Sequence, residues 1–303
     1  MRALVFGGQG SLKSGLGRDF YDAYPEVRQH YDATPLKKEV ASFVFDSTEN
    51  LNEHLFSQLG LIQFYMSAYD CLKKRYDSFD LTFGLSLGTY GSLYATEALS
   101  GERLFDLVDK RSRYMYEVAR NSDSQLMAIL GMSIDEVSDV LSELNQSTNR
   151  LFIANDNAIG QIVVGGDEKS ISNLKVSLEK KKKRSILLSV SAAFHTPFME
   201  EARMKYKEAM STFQFDKFKI PVVDNRTAAL MDEKGIEDTL SYHLVNLVRF
   251  RESLFFAQSF GIKEYVVIDS GKTIESFIKK TLGKDTNIVV IDSVEAFKNL
   301  GAC

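Results

Sequence analysis

Four apolar runs of strand length, Arg2 to Phe6, Leu81 to Phe83, Tyr265 to Ile268 and Asn287 to Ile291, are separated by amphipathic stretches long enough for helices. A continuous apolar run suits a strand covered on both faces, and the helical stretches supply the covers. The alternation therefore predicts an α/β domain with a mainly parallel sheet. Between residues 125 and 190 the pattern changes: Leu126 to Leu130, Arg150 to Ala154, Gln161 to Val164 and Ser185 to Ser189 read as strands, Ser133 to Leu144 and Asp167 to Lys181 as helices. The order βαββαβ in so short a span is the ferredoxin-like plan. We therefore expect residues 125–190 to form a small inserted subdomain, with residues 1–124 and 191–303 forming the large domain. A cleft between the two is the expected place for a ligand.

A chain of 303 residues can bury cores of this size, and 44% hydrophobic with 26% charged residues is an ordinary globular balance. The net charge of -4 lacks the lysine and arginine surplus that phosphate neutralisation needs, which sets nucleic acid aside as the main partner. No window of roughly 18 apolar residues marks a membrane span, and the N-terminus runs straight into a strand without a secretory signal. Only two cysteines occur, Cys71 and Cys303, so a disulfide framework is not expected and a reducing cytoplasm is the natural compartment.

Gly84, Leu85, Ser86, Leu87 and Gly88 spell GLSLG, a G-x-S-x-G pattern, directly after the run Phe79 to Phe83 and before Tyr90 to Ala98, which reads as a helix. Strand, tight turn and helix are the setting in which this pattern lifts a serine hydroxyl outward, the glycines permitting close backbone approach. The helix N-terminus aims amide donors at the same place. Such a serine needs a base, usually histidine. Four are present. His30 and His54 lie in polar, helix-like surroundings and read as surface residues; His243 lies on an expected helix. His195 follows the run Ile186 to Val190, in the loop SAAFHTPFM, where the inserted segment rejoins the large domain. That puts it at the expected cleft, although a loop histidine held by ordinary hydrogen bonds would look the same.

These segments resemble one family, the malonyl-coenzyme A:acyl carrier protein transacylases and the related acyltransferase domains of fatty acid and polyketide synthases. FGGQGS is similar to their FPGQGS, GLSLGTY to GHSLGEY, KRSRYM to KRGxxM and SAAFHTPFM to SGPFHSxLM. ANDNAIGQIVVGG and IPVVDNRTA agree as well, and HLVNLVRFRESL resembles QxxxPVRWxESV, so the likeness runs in order through essentially the whole chain. It implies an α/β-hydrolase-like large domain with an inserted ferredoxin-like subdomain. It also implies an acyltransferase that moves malonyl from coenzyme A to a carrier protein through an acyl-serine.

Carried over residue by residue, the resemblance implies that Ser86 attacks the thioester carbonyl, while His195 takes its proton and later returns it to the leaving thiol. No separate acid completes a triad; backbone carbonyls would orient the imidazole, one of them from the position of His243, fixing the tautomer without carrying charge. Backbone N–H groups of Gln9 and Leu87 would form the oxyanion hole. Arg111 would pair with the free malonyl carboxylate, to which a planar guanidinium offers two parallel hydrogen bonds. Without the resemblance, Arg111 reads as an exposed member of the basic run Lys110, Arg111, Arg113. Gln63, in IQFYM, matches the glutamine of the family's TQPAL and would line the acyl pocket. Leu85 and Phe194 precede the two reacting residues, and the large Phe194 ring matches the pattern for malonyl over a branched methylmalonyl group. Asn155 and Asn157 would face the cleft. No metal and no bound cofactor is expected: malonyl-coenzyme A is the donor, and the phosphopantetheine arm arrives on the acyl carrier protein. A monomer with no nucleic-acid or membrane partner is the default.

The chain departs from the family at several points. The proline of the first motif is Gly8, which loosens the loop carrying Gln9. The histidine before the serine is Leu85, an alternative found in the family, and the glutamate after GHSLG is Thr89. The late GPGK is DSGK, Asp269 to Lys272, and the threonine and proline of TQPAL are Ile62 and Phe64. No reacting group is lost, and the set fits a specialised enzyme that loads a polyketide or mixed peptide–polyketide assembly line in trans. An acyl hydrolase clearing stalled chains is the rival on the same fold. A non-catalytic carrier-binding module is the rival of another class, against which intact Ser86, His195 and Gln9 speak. The basic run Lys180 to Arg184 reads as a solvated helix end or as a steering patch for an acidic carrier.

Overall fold

The structure is a computed structural model that describes residues 1–10, 12–48, 51, 55–148 and 150–300. His54, Ser11 of the first motif and Cys303 lie outside the described residues. Strand β1 (Arg2–Phe6) is followed by helices α1 (Arg18–Ala23), α2 (Gln29–Asp32), α3 (Pro35–Asp46) and α4 (Ser57–Leu72). Strand β2 (Leu81–Gly84) leads into α5 (Gly88–Ala95) and α6 (Gly101–Arg120). Next come β3 (Ser124–Leu130), α7 (Ile134–Thr148), β4 (Leu151–Ala158), β5 (Gln161–Asp167), α8 (Glu168–Lys180) and β6 (Arg184–Leu187). The chain closes through α9 (Glu200–Met210), α10 (Ile236–Tyr242), α11 (Phe250–Ser259), β7 (Glu264–Ile268), α12 (Thr273–Leu282), β8 (Asn287–Ile291) and α13 (Val294–Lys298).

Strands β2, β1, β7 and β8 form a parallel sheet in that order. Its central strands are covered on both faces, which is why they read as unbroken apolar runs. Leu4, Phe6, Val266 and Ile268 enter one core, while Ala3, Val5, Tyr265 and Val267 enter another. A short extended segment beyond β2 continues this sheet, Thr82 N–H donating to Pro221 O and Val223 N–H to Thr82 O at 2.9 and 3.0 Å.

The second sheet is antiparallel, in the order β4-β5-β3-β6. With the element order βαββαβ, this strand order is the ferredoxin-like one. One face (Met127, Ile129, Val164) packs with α7 and α8; the other (Leu126, Ala128, Val163) turns toward the core of the parallel sheet. The antiparallel sheet is tied to the segment that leads into α11 and to α11 itself. Asp156 N–H donates to Val248 O and Val248 N–H to Ala154 O, both at 2.9 Å, and the fully buried Asp156 carboxylate takes Arg251 at 2.8 Å.

Several boundaries differ from the sequence reading for local reasons. Helix α5 stops at Ala95, three residues before Ala98, because Glu97 adopts a left-handed conformation (φ 60°) and Ala98 N–H turns back to Leu93 O. Ser133 and Asp167 are N-caps and not the first helical residues: their side chains accept from Glu136 and Ser170 N–H. Strand β6 ends at Leu187, where Leu188 N–H donates to Leu126 O and the chain turns.

His30 is a correction of substance. It is buried, its Nε2 2.8 Å from Asp70 on α4, and not on the surface. Its polar sequence neighbours made it look exposed, while the residues that it packs against, Asp70 and Tyr94, are remote in the chain. The Lys180–Arg184 run is a solvated helix end, with Lys181 and Lys183 set opposite Glu143 and Glu136 of α7. Among the described residues no helix is long and apolar enough to cross a membrane.

Candidate active site

The turn after β2 is built so that only glycine fits at its two fixed positions. A Cβ on Gly84 would lie 2.2 Å from the Gly88 carbonyl carbon, and one on Gly88 would lie 2.4 Å from Phe6 O. Between them Ser86 is held at φ 53°, a strained conformation for a residue with a side chain. Two outside bonds hold the turn: Leu85 N–H donates to Phe6 O at 3.0 Å, and Ser86 N–H donates to Asn225 Oδ1 at 2.7 Å. Asn225 also donates from Nδ2 to Gly84 O at 2.6 Å, so one buried amide spans the turn. Asn225 was not singled out from the sequence. It lies in the IPVVDNRTA stretch, and only the pairing of residues 221–223 alongside β2 brings it there.

Ser86 Oγ lies 2.7 Å from His195 Nε2, although 109 residues separate them. His195 is also left-handed (φ 63°), its N–H donating to Leu244 O at 3.0 Å and its Nδ1–H to His243 O at 2.6 Å. With the proton on Nδ1, Nε2 is left as an acceptor for the serine hydroxyl, the tautomer a general base needs. Burial, joined by the nearby Arg111 guanidinium, pushes the His195 imidazole down to about 3. His243 supplies its carbonyl from the residue just past α10, where carbonyls have no intrahelical partner.

Arg111, on α6, is 1% exposed. Its Nη2 lies 3.4 Å from Ser86 Oγ, Nη1 donates to Gln58 Oε1, and the guanidinium sits 5.4 Å from the Tyr90 ring centre. Its Nε has no partner, and no carboxylate among the described residues pairs with it. The basic-run reading of an exposed residue is therefore wrong for Arg111.

Gln63 does not face this site. It is buried on α4, and its Nε2 donates to Lys37 O at 2.9 Å. The glutamine at the arginine is Gln58, one and a half turns earlier, which also reaches Met115 Sδ at 3.6 Å. Every residue of α4 is buried, so no polar face indicated which glutamine points where.

A cavity of about 130 Å³ opens beside Ser86 and His195. Its wall is lined by Gln9, Asn155 and Asn157 among polar residues and by Leu85, Met115, Val163 and Phe194 among apolar ones. Asn157 Oδ1 has no partner among the described residues. Register shifts in β4 between Ile153 and Asn155 and between Asp156 and Ala158 set the two asparagines. Leu87 N-caps α5 directly after Ser86, and Gln9 anchors its own side chain on Ser57 Oγ at 3.1 Å. Gly8 fits Leu85 closely: a Cβ at position 8 would lie 3.0 Å from Leu85 Cδ2 and 3.1 Å from Leu85 O. The glycine thus makes room for the leucine, and a loosened loop is not its only consequence.

A constrained serine that opens on a cavity and contacts both a neutral histidine and a buried cation can support nucleophilic acyl transfer. Comparison with known proteins agrees. The model of the acyl transferase domain family matches residues 3–290. The malonyl CoA-acyl carrier protein transacylase of Bacillus subtilis is 30% identical over 295 residues, covering 96% of this chain and 93% of that protein. A polyketide biosynthesis malonyl CoA-acyl carrier protein transacylase of Bacillus velezensis is 28% identical, covering 92% and 96%. The crystal structure of MCAT from Streptococcus pneumoniae superposes with a TM-score of 0.92 at 30% identity, covering 99% of both chains.

Proposed function

This chain belongs to the acyl transferase domain family, and from that premise we propose that it transfers malonyl from coenzyme A to the phosphopantetheine thiol of an acyl carrier protein through an acyl-serine. The observation that carries the substrate assignment is Arg111. A buried guanidinium without a carboxylate is costly, and an anionic substrate relieves that cost on binding. With Nη1 engaged by Gln58, the edge formed by Nε and Nη2 remains to grip a carboxylate with two parallel hydrogen bonds beside the nucleophile.

In the first half-reaction His195 Nε2 accepts the Ser86 proton as Oγ attacks the thioester carbonyl. The tetrahedral oxyanion is held by the N–H groups of Gln9 and Leu87, each such donor contributing about 2.7 to 4 kcal/mol. Collapse breaks the carbon–sulfur bond, and His195 returns the proton to the coenzyme A thiolate. The second half runs in reverse with the carrier's thiol as nucleophile, deprotonated by His195 and attacking the malonyl ester. The strained serine at the end of a parallel strand supports the hydrolase-like reading of the large domain. Acyl transfer by this route needs no resident cofactor, and the acyl carrier protein supplies the prosthetic arm.

A hydrolase shares the acyl-serine and differs in letting water resolve it. The unpaired Arg111 favours malonyl transfer, since neutral acyl chains gain nothing from a buried cation. The test incubates the protein with malonyl-coenzyme A and several carrier proteins and measures acylated carrier against free malonate. Acylated carrier is expected; malonate without acylated carrier would establish the hydrolase, and no turnover the binding module.

A further inference from the structure

We propose that Asp224 is a positioning residue for the base, acting through the side chain of His243 on the carbonyl that orients His195; the proposal rests on the acyl-serine reading above. Asp224 directly follows the segment paired with β2, and a tight turn presets it. Its N–H donates to Ala229 O, and its own carbonyl accepts from Ala228 N–H, both at 2.9 Å. The residue is 3% exposed, and its carboxylate accepts from Arg226 N–H at 2.9 Å and Thr227 Oγ1 at 3.0 Å. Burial pushes this carboxyl up, but the bond from His243 and the turn donors outweigh it and leave it below its ordinary value.

The remaining bond leaves the turn: His243 Nε2 donates to Asp224 Oδ1. His243 Nδ1 has no partner among the described residues, so this one bond is what anchors the ring. His243 is the C-cap of α10: its N–H still donates to Thr239 O, and the peptide that carries its carbonyl is tied to the helix end through Leu244 N–H to Ser241 O, both at 3.1 Å, while the carbonyl itself has no intrahelical partner. Anchoring the side chain adds a second constraint, beside the Leu244 N–H bond, on the direction of the same residue's carbonyl, and that carbonyl takes His195 Nδ1–H at 2.6 Å. The next carbonyl, Leu244 O, takes His195 N–H, so both the ring and the backbone of the base are set by residues 243 and 244. Asn225, next to Asp224, holds the nucleophile's turn. One buried dipeptide therefore sets the relative placement of nucleophile and base.

The experiment is a double-mutant cycle on single-turnover malonylation, read by intact mass spectrometry. His243→Ala should slow acylation about 10²-fold at saturating malonyl-coenzyme A, the cost of a base misplaced by about 1 Å, with the concentration giving half-maximal rate unmoved. In a His195→Ala background the same change should alter the residual rate less than about twofold, because its effect runs through His195. His243→Gln, which keeps a donor toward Asp224, should restore most of the rate. A native rate in His243→Ala, or an equal loss in both backgrounds, would overturn the proposal. Should His243→Ala fail to fold, Asp224→Glu, which shifts the carboxylate by one methylene, reads the same quantity: slowed acylation supports the proposal and a native rate overturns it. Absence of any adduct on the wild-type protein would instead sink the acyl-serine reading itself.

Discussion

Arg111 Nη2 lies 3.4 Å from Ser86 Oγ, at the end of a side chain buried on α6 with a glutamine, and no carboxylate among the described residues, as its partner. In the reaction proposed above, a cation this close to Ser86 would select for an acyl group that carries its own negative charge. Arg111→Ala should therefore lower kcat/KM for malonyl-coenzyme A at least about tenfold, from hydrogen bonds worth roughly 1.5 to 3 kcal/mol each, while sparing or improving acetyl-coenzyme A. Paired assays of the two donors check this. Equal losses for both would remove the carboxylate role.

The same cation bears on pH. His195 is held down at about 3 by burial and by Arg111, so the base stays neutral as pH falls from 8 to 5. The acylation rate should be flat across that range. An inflection near 6.5 would mean an ordinary histidine. Stability has the matching sign: the folded-state value lies below the unfolded 6.5, so the contribution is fully present above about pH 6.5 and is lost progressively as pH falls toward about 3. Melting temperature followed against pH reads this second effect.

Asn225→Ala removes both bonds that span the Ser86 turn, orphaning the part-buried Ser86 N–H and the buried Gly84 carbonyl. Unfolding should become easier by about 1 to 3 kcal/mol for each group left unsatisfied. Denaturant melts measure that, and a change below about 0.5 kcal/mol would show the turn to be self-supporting.

Gly8 and Leu85 should be coupled. Gly8→Ala places a Cβ against the Leu85 side chain, and Leu85→Ala removes the obstacle on that side, so the double variant should recover part of the activity lost by the first. Strictly additive losses would mean that the contact with Leu85 O, which no side-chain change relieves, decides the outcome.

Much of this arrangement is readable along the chain, for physical reasons. Strands β1 and β7 declare themselves because central strands of a covered parallel sheet stay apolar on both faces. The Ser86 turn does so because its glycines are sterically compelled. Gln58 and Gln63 could not be told apart because α4 is buried all round and periodicity carries no direction there. His30 looked exposed because its partner, Asp70, lies 40 residues away. Asp224 and Asn225 were silent for a similar reason: their roles exist only once residues 221–223 pair beside β2.

In the proposed reaction Ser86 carries the acyl group. Intact mass spectrometry after brief exposure to malonyl-coenzyme A should find one malonyl adduct on the wild-type protein and none on Ser86→Ala at matched folding. An adduct of undiminished yield on Ser86→Ala would place the nucleophile elsewhere and contradict the account.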